Sequence, residues 1–455
     1  MQRKRAIVWF RHDLRLHDNE SLTEALRHAD EVIPVYVFDE RMFLGATRQY
    51  GFPKTGKYRA KFILESVSDL REQLRDLGSE LHIRTGKPEE EVCRIARKCK
   101  TSWVYCNRER TEEEVQIQDA LERNLWSIGQ ELRFNRGKML LHTADLPFPV
   151  THAPDIFTQF RKEVEREMTV REPIPAPEKK FHKLTCELEP GDLPQLEDFD
   201  HEPFEPDPRA VLDFKGGERE GLKRLHYYLW ESDLAATYED TRNGLIGPDY
   251  STKFSPWLAQ GCLSPKLIYH ELKRYEAKRA RNKSTYWIVF ELLWRDFFRL
   301  QAKKYGNAIY LKGGTRNRPD PALRDDPERL LQWIEGRTGV PFIDANMREI
   351  RATGFMSNRG RQNVASFLVK EMGVNWQMGA EYFESVLIDY DPASNWGNWY
   401  YLAGVGADPR EDRHFNIQGQ ARKYDPHGEY VKLWVPSLAS MTAEDIFQLY
   451  ELKSI

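Results

Sequence analysis

The chain is 455 residues long, 40% apolar and 31% charged, with a formal net charge of −3. That is enough chain for two or three packed cores, and it excludes a small stapled module or a disordered segment. The near-neutral balance excludes a protein that coats nucleic acid by bulk charge and leaves that role to local basic patches.

Five cysteines, Cys93, Cys99, Cys106, Cys186 and Cys262, are odd in number and form no C-x2-C pair. They predict neither a disulfide framework nor a structural zinc site, and a reducing compartment. The N-terminus enters a strand-like stretch without the apolar region of a signal peptide, and no run of about 18 apolar residues occurs. The expectation is a cytoplasmic protein with no membrane contact. Twelve Trp, 20 Tyr and 23 Phe are more than core filling usually needs, which points weakly to a flat ligand or an aromatic relay.

Residues 1–135 alternate strand-like and helix-like segments, the pattern of an α/β Rossmann-like domain with a parallel sheet. Strands are expected at 6–10, 32–38, 80–84, 103–106 and 131–135. Helices are expected at 21–29 with a Ser cap, 57–77, 88–99 and 111–127. No GxGxxG follows the first strand, where the sequence is WFRHDLRLHDN, so the domain is not a standard dinucleotide binder. Residues 136–214, rich in Pro and acidic residues, read as an interdomain linker interrupted by one helix at 155–167. Residues 215–455 carry apolar residues at i, i+3, i+4 spacing and read as an all-helical domain.

Four segments of that domain carry chemistry. Residues 247–265, GPDYSTKFSPWLAQGCLSP, set hydroxyls and a Lys before a helix expected to start at Pro256, which suits phosphate oxygens or a plain polar cap. Residues 286–300 place Glu291 and Arg295 at i, i+4 in an apolar helix. An exposed pair of that kind is worth only about 0.2–0.5 kcal/mol, so these charges need further partners or a ligand. Residues 342–370 hold five Arg or Lys against two Asp or Glu, a local basic patch, and Asn358, Arg361 and Gln362 share a face if SNRGRQ is helical. Residues 383–406 set Asp389, Asp391 and Asn395 in a turn-rich stretch ahead of Trp396, Trp399, Tyr400 and Tyr401, a better match to a ribityl or flavin ring than to a metal.

Together, in this order and spacing, the four segments resemble the FAD-binding domain of the photolyase/cryptochrome family, and the resemblance runs from WFRHDLRLHDN to KYDPHGEYVKLWVPSL. It implies that FAD is held by Tyr238, Ser251, Thr252, Lys253, Phe254, Ser255, Glu291, Arg295, Asn358, Arg361, Asp389, Tyr390, Asp391 and Asn395, with the Asn395 amide facing the flavin N5. Asn358 and Gln362 stand where photolyases for (6-4) lesions carry histidines. Gln362 and Tyr401 stand where duplex-specific photolyases carry Met and Trp, and both match the DASH group. The resemblance therefore implies a deoxyribodipyrimidine photo-lyase of DASH type that repairs cyclobutane pyrimidine dimers in single-stranded or looped DNA by blue light. Glu291 and Asn358 would bind the dimer, Trp294 and Tyr401 would flank it, Gln362 would line the pocket, and Arg242 and Arg348 would contact phosphates.

Glu109 aligns with an acidic residue that contacts a 5,10-methenyltetrahydrofolate antenna in that group. Trp399 and Trp376 match two tryptophans of the family's photoreduction relay. The ungapped place of the third falls on Leu323, so either a gap shifts the match within residues 316–333 or another residue such as Trp333 or Tyr310 ends the relay. The expected partner is single-stranded DNA with pyrimidine dimers, bound by a monomer, with RNA left open. A light-signalling cryptochrome without repair is the alternative, although only 17 residues follow Leu438 for a signalling tail. A flavin-bearing nucleic-acid-binding regulator is a third reading.

Overall fold

The computed structural model describes residues 3–178, 181–318, 322–406 and 414–450. Residues 451–455 lie outside that range, as do residues 319–321 of the 316–333 stretch around Leu323.

Five strands, β1 (Arg5–Phe10), β2 (Glu31–Asp39), β3 (His82–Gly86), β4 (Trp103–Asn107) and β5 (Glu131–Asn135), form one sheet in the order β3-β2-β1-β4-β5. Every pairing is parallel. β1 and β2 are buried almost throughout, as expected of strands covered by helices on both faces. The crossover helices are Glu20–His28, Lys57–Asp76, Pro88–Cys99 and Glu112–Trp126, within one or two residues of expectation. The cap of the first is Asn19, which accepts the Leu22 amide at 3.0 Å, and not Ser21, which lies buried inside the helix.

Residues 136–214 do more than connect. They run back across the α/β domain: Pro190 O accepts from Ile83 N at 2.7 Å beside the exposed edge of β3, and Ile174 O accepts from Asp18 N at 2.6 Å. An unpaired strand edge is an aggregation hazard, and this strap covers it. It also brings Cys186 to Cys99 at the end of the Pro88–Cys99 helix, where the two form a disulfide across 87 residues. The expectation of no disulfide is thus corrected. Sequence spacing gave no sign of the pairing because the strap's course decides it.

From Glu218 on the described chain is helical. The Lys283–Tyr305 helix runs through the centre of this domain, and its start is fixed by an Asn282/Thr285 capping box. Among the described residues no helix is long and apolar enough to cross a membrane.

Candidate cofactor and substrate site

The Asn358–Ser366 helix starts where Ser357 accepts the Gly360 amide at 3.0 Å. Its first turns aim Asn358, Arg361 and Gln362 into one cavity, as the sequence predicts. The facing wall is Asp389, Tyr390, Asp391, Asn395 and Trp399. Here the turn-rich reading is corrected: Pro392–Leu402 is a helix. Asp391 is its N-cap, accepting Ser394 N at 2.9 Å, and Pro392 sits in the first turn, so residues that look like turn formers are helix-start signals. Asn395 is anchored by donating from Nδ2 to Ala380 O at 3.0 Å.

Charge in the cavity is arranged in buried pairs. Arg361 Nη2 lies 2.8 Å from Asp389 Oδ2, while the other oxygen of Asp389 is buried without a partner. Asp391 pairs with Arg299. Burial pushes the Asp391 carboxyl up, but Arg299, Arg295 and Lys138 outweigh it and hold the group well below the usual carboxylate range. Arg299 also lies 3.9 Å from Glu109, whose Oε1 is 2.5 Å from Lys138 Nζ. Glu109 comes from the α/β domain, Lys138 from the start of the 136–214 strap and Arg299 and Asp391 from the helical side, so this network ties all three together.

Several predicted residues lie elsewhere. Arg295 donates to Lys138 O at 2.6 Å and Leu258 O at 3.0 Å and does not line the cavity. Glu291 is paired with Arg242, whose guanidinium stacks on Trp287 at 4.5 Å; Tyr238 stands next to both. Trp294 lies flat on Phe157 at 3.7 Å and edge-on to Tyr401 at 5.8 Å. Arg348 donates to Gly336 O at 3.1 Å. Gln362 is held by Arg359, which donates to its Oε1 at 2.9 Å, and Asn243 accepts from the same guanidinium. Arg359 and Arg224 were not singled out from the sequence. Arg224 shapes the 251–255 loop by donating to the carbonyls of Pro248, Ser251 and Thr252. In that loop Phe254 is buried, Ser255 opens the Ser255–Gln260 helix, and Ser251 and Thr252 are half-buried.

Lys253 adopts a left-handed φ of +56° and buries its ammonium over the Tyr250 ring with no hydrogen-bond partner. Free polar atoms at Lys253 and Asp389, anchored amides and loop hydroxyls fit a cofactor that offers phosphates, hydroxyls and a heterocycle. Lys253 also faces Glu349, which is fully buried and accepts from Tyr430 OH at 2.6 Å. Burial, with Arg224 adding to it, pushes Lys253 down to about 6. Burial likewise pushes Glu349 up to about 8. The signs oppose each other. A raised carboxyl withdraws stability as pH climbs from about 4.5 to about 8, and a depressed ammonium adds stability as pH climbs from about 6 to about 10.5. The two contributions oppose between pH 6 and 8, leaving a fall below that window and a rise above it. Urea melts of the flavin-free chain across pH should show this profile, and Glu349→Gln should remove the acid-side fall; an unchanged profile would contradict it.

A second cavity, about 580 Å³, opens between the domains. Its floor is the carboxyl ends of β1 and β2, Trp9 to His12 and Tyr36 to Asp39, where open α/β sheets bind ligands. Glu112, Glu113 and Glu114 line it, with Lys54 and Arg48 from the 45–55 loop and Glu384 and Trp396 from the helical side. Glu109 does not, being spent on Lys138. Tyr390 lines both cavities and is part of the partition between them. No local pattern announces this cavity, because its walls come from four distant parts of the chain.

The relay residues are buried. Trp376 donates to Lys312 O at 3.0 Å, and Trp399 lines the first cavity. Leu323 is buried, and Trp333 is fully buried with its indole N–H on Val364 O.

Comparison with known proteins agrees with this geometry. Residues 6–178 match the DNA photolyase family and residues 287–454 the FAD binding domain of DNA photolyase. A cryptochrome DASH of Gloeobacter violaceus is 50% identical over 99% of this chain and 89% of its own length. The crystal structure of a Synechocystis sp. PCC6803 cryptochrome superposes with a TM-score of 0.95 at 46% identity, covering 100% of this chain and 93% of that one. The structure of an archaeal photolyase from Sulfolobus tokodaii with two FAD molecules gives 0.80 at 29%, covering 99% and 94%. The chain belongs to the photolyase/cryptochrome family, within its cryptochrome DASH group.

Proposed function

We propose that this protein repairs cyclobutane pyrimidine dimers in single-stranded or looped DNA, driven by blue light. The observation that carries the reading is the cavity in which Asn358 and Gln362 stand opposite Asp391 and Asn395. The cavity would hold reduced FAD, whose chemistry there would be light-driven donation of one electron to the dimer and its return after ring splitting. Arg361, Asp389, Asp391 and Asn395 would hold the isoalloxazine and ribityl parts, while Ser251, Thr252, Lys253 and Ser255 would serve the phosphates. Asn395 offers an amide and no ready proton, which suits a flavin kept reduced. Arg359 fixes the Gln362 amide at the pocket rim, and Trp294, immobilised on Phe157, forms one wall of the dimer pocket with Tyr401.

A polar Gln and a Tyr give a flipped dimer less apolar and stacking contact than larger apolar or indole groups would. Extraction from a duplex costs a few kcal/mol and is not offset, so single strands are preferred. A dimer-bearing single strand should bind roughly 10- to 100-fold tighter than the same strand in a duplex, measured by fluorescence anisotropy at fixed salt. Equal affinities would remove the single-strand preference.

The interdomain cavity takes the antenna. Its carboxylates suit the N–H groups of a pterin, and Lys54 and Arg48 suit a carboxylate tail, so we assign it to methenyltetrahydrofolate, with Glu112 to Glu114 in the place first given to Glu109. The second FAD of the Sulfolobus photolyase is the rival occupant.

A further inference from the structure

The ungapped place of the family's third relay tryptophan holds Leu323, which is only 4% exposed. Trp333 does not substitute for it, since it is 0% exposed and a hole held there has no path to solvent. A different ring continues the ladder. Trp396 stands edge-on to Trp376, 5.7 Å between centroids, and edge-on to Tyr310, 5.0 Å between centroids. Trp399 packs against the helix that carries Trp376: a Cβ on Gly379, three residues beyond Trp376 in the Trp376–Val386 helix, would sit 2.3 Å from Trp399 Cη2.

Tyr310 lines the interdomain cavity together with Thr111 and Glu114. The Thr111 hydroxyl donates to the Glu114 carboxylate, which lies 3.4 Å from His12 Nε2. Arg48, whose side chain is 79% exposed, stands at the cavity mouth.

We propose that the photoreduction relay of this chain runs Trp399, Trp376, Trp396, Tyr310 and ends on Tyr310 in the interdomain cavity. The proposal rests on FAD occupying the first cavity and is independent of DNA repair. One electron moves inward to the photoexcited, oxidised flavin by ring-to-ring transfer, and the hole moves outward to Tyr310. There the oxidised phenol loses its proton through Thr111 to Glu114, leaving a neutral tyrosyl radical that cannot easily recombine. In the antenna-free chain Glu114 passes the proton on to solvent, a small thiol entering the cavity returns a hydrogen atom to Tyr310, and the thiyl radicals of two turnovers couple to a disulfide. The thiol is the net reductant.

The test uses the full-length holoprotein with oxidised flavin, anaerobic, under blue light with dithiothreitol and no DNA. Flavin absorbance is recorded first, so a failed FAD reading shows as a colourless protein and a failed relay as a coloured one without the expected radical. Transient absorption should show a tyrosyl radical in the parent chain. Trp396→Phe and Tyr310→Phe should each abolish that signal and slow flavin reduction about tenfold. Tyr310→Trp should restore reduction with a tryptophanyl signal in place of the tyrosyl one, which a packing role for Tyr310 would not produce. A tyrosyl signal that survives Tyr310→Phe, or one lost in Tyr390→Phe while Tyr310→Phe keeps it, would overturn the proposal.

Discussion

Arg361→Met should yield a protein that folds but releases its flavin. Arg361 is the partner of Asp389 Oδ2, and Asp389 Oδ1 has none. Removing the guanidinium strands a buried carboxylate, and breaking a buried pair costs about 3–5 kcal/mol, here near the low end because Arg361 is a quarter exposed. The cost falls on the cavity wall. Flavin affinity by fluorescence titration should therefore drop by about two orders of magnitude. The carboxylate cannot move away, because Asp389 is followed directly by Tyr390 and by Asp391, the N-cap of the Pro392–Leu402 helix. A variant that keeps its flavin through dialysis would show that the Arg361–Asp389 pair does not build the site.

Arg299→Met should destabilise the fold as well as the site. Arg299 is 4% exposed and stands between Asp391 and Glu109, so its loss leaves two carboxylates facing only Lys138 and Arg295. With the pair broken and little room for water, about 3–5 kcal/mol should be lost, lowering the melting temperature by roughly 5–15 °C. Arg299→Lys should recover part of this, since it restores the charge but not the forked geometry. Because Glu109 belongs to the α/β domain and Lys138 to the start of the 136–214 strap, limited proteolysis of Arg299→Met should also cut that strap faster than in the parent chain. Unchanged melting and cleavage would mean the interdomain network is incidental.

What could be read from the sequence follows from range. β1, β2 and β4 are short apolar runs rich in Val, Ile and aromatics, which can only be buried strands of a parallel sheet, and their ends are marked by polar residues. The shared face of Asn358, Arg361 and Gln362 is a helical period and was equally legible. The 392–402 helix was not, because Asp, Pro, Ser and Asn serve both turns and helix starts, and only the backbone beyond them decides.

Long-range contacts were hidden altogether. The resemblance gives Arg295 to the cofactor, whereas the apolar helix by itself requires only that the charge find some partner. The partners it found are two carbonyls, Lys138 O and Leu258 O, far from it in sequence. Glu109 was selected over Glu112, Glu113 and Glu114 by alignment in a run of like residues, yet Lys138 removes it from the cavity. The Cys99–Cys186 bond depends on where the strap crosses the sheet edge, which composition does not encode.

The most direct measurement of the central claim is repair of one thymine dimer in matched single-stranded and duplex oligonucleotides under blue light, with the flavin chemically reduced beforehand so that the relay plays no part. The proposed function predicts rapid loss of the dimer from the single strand and little from the duplex. Repair of both at one rate would contradict the single-strand assignment of Gln362 and Tyr401, and repair of neither, with flavin photochemistry intact, would contradict the enzyme and favour a signalling cryptochrome.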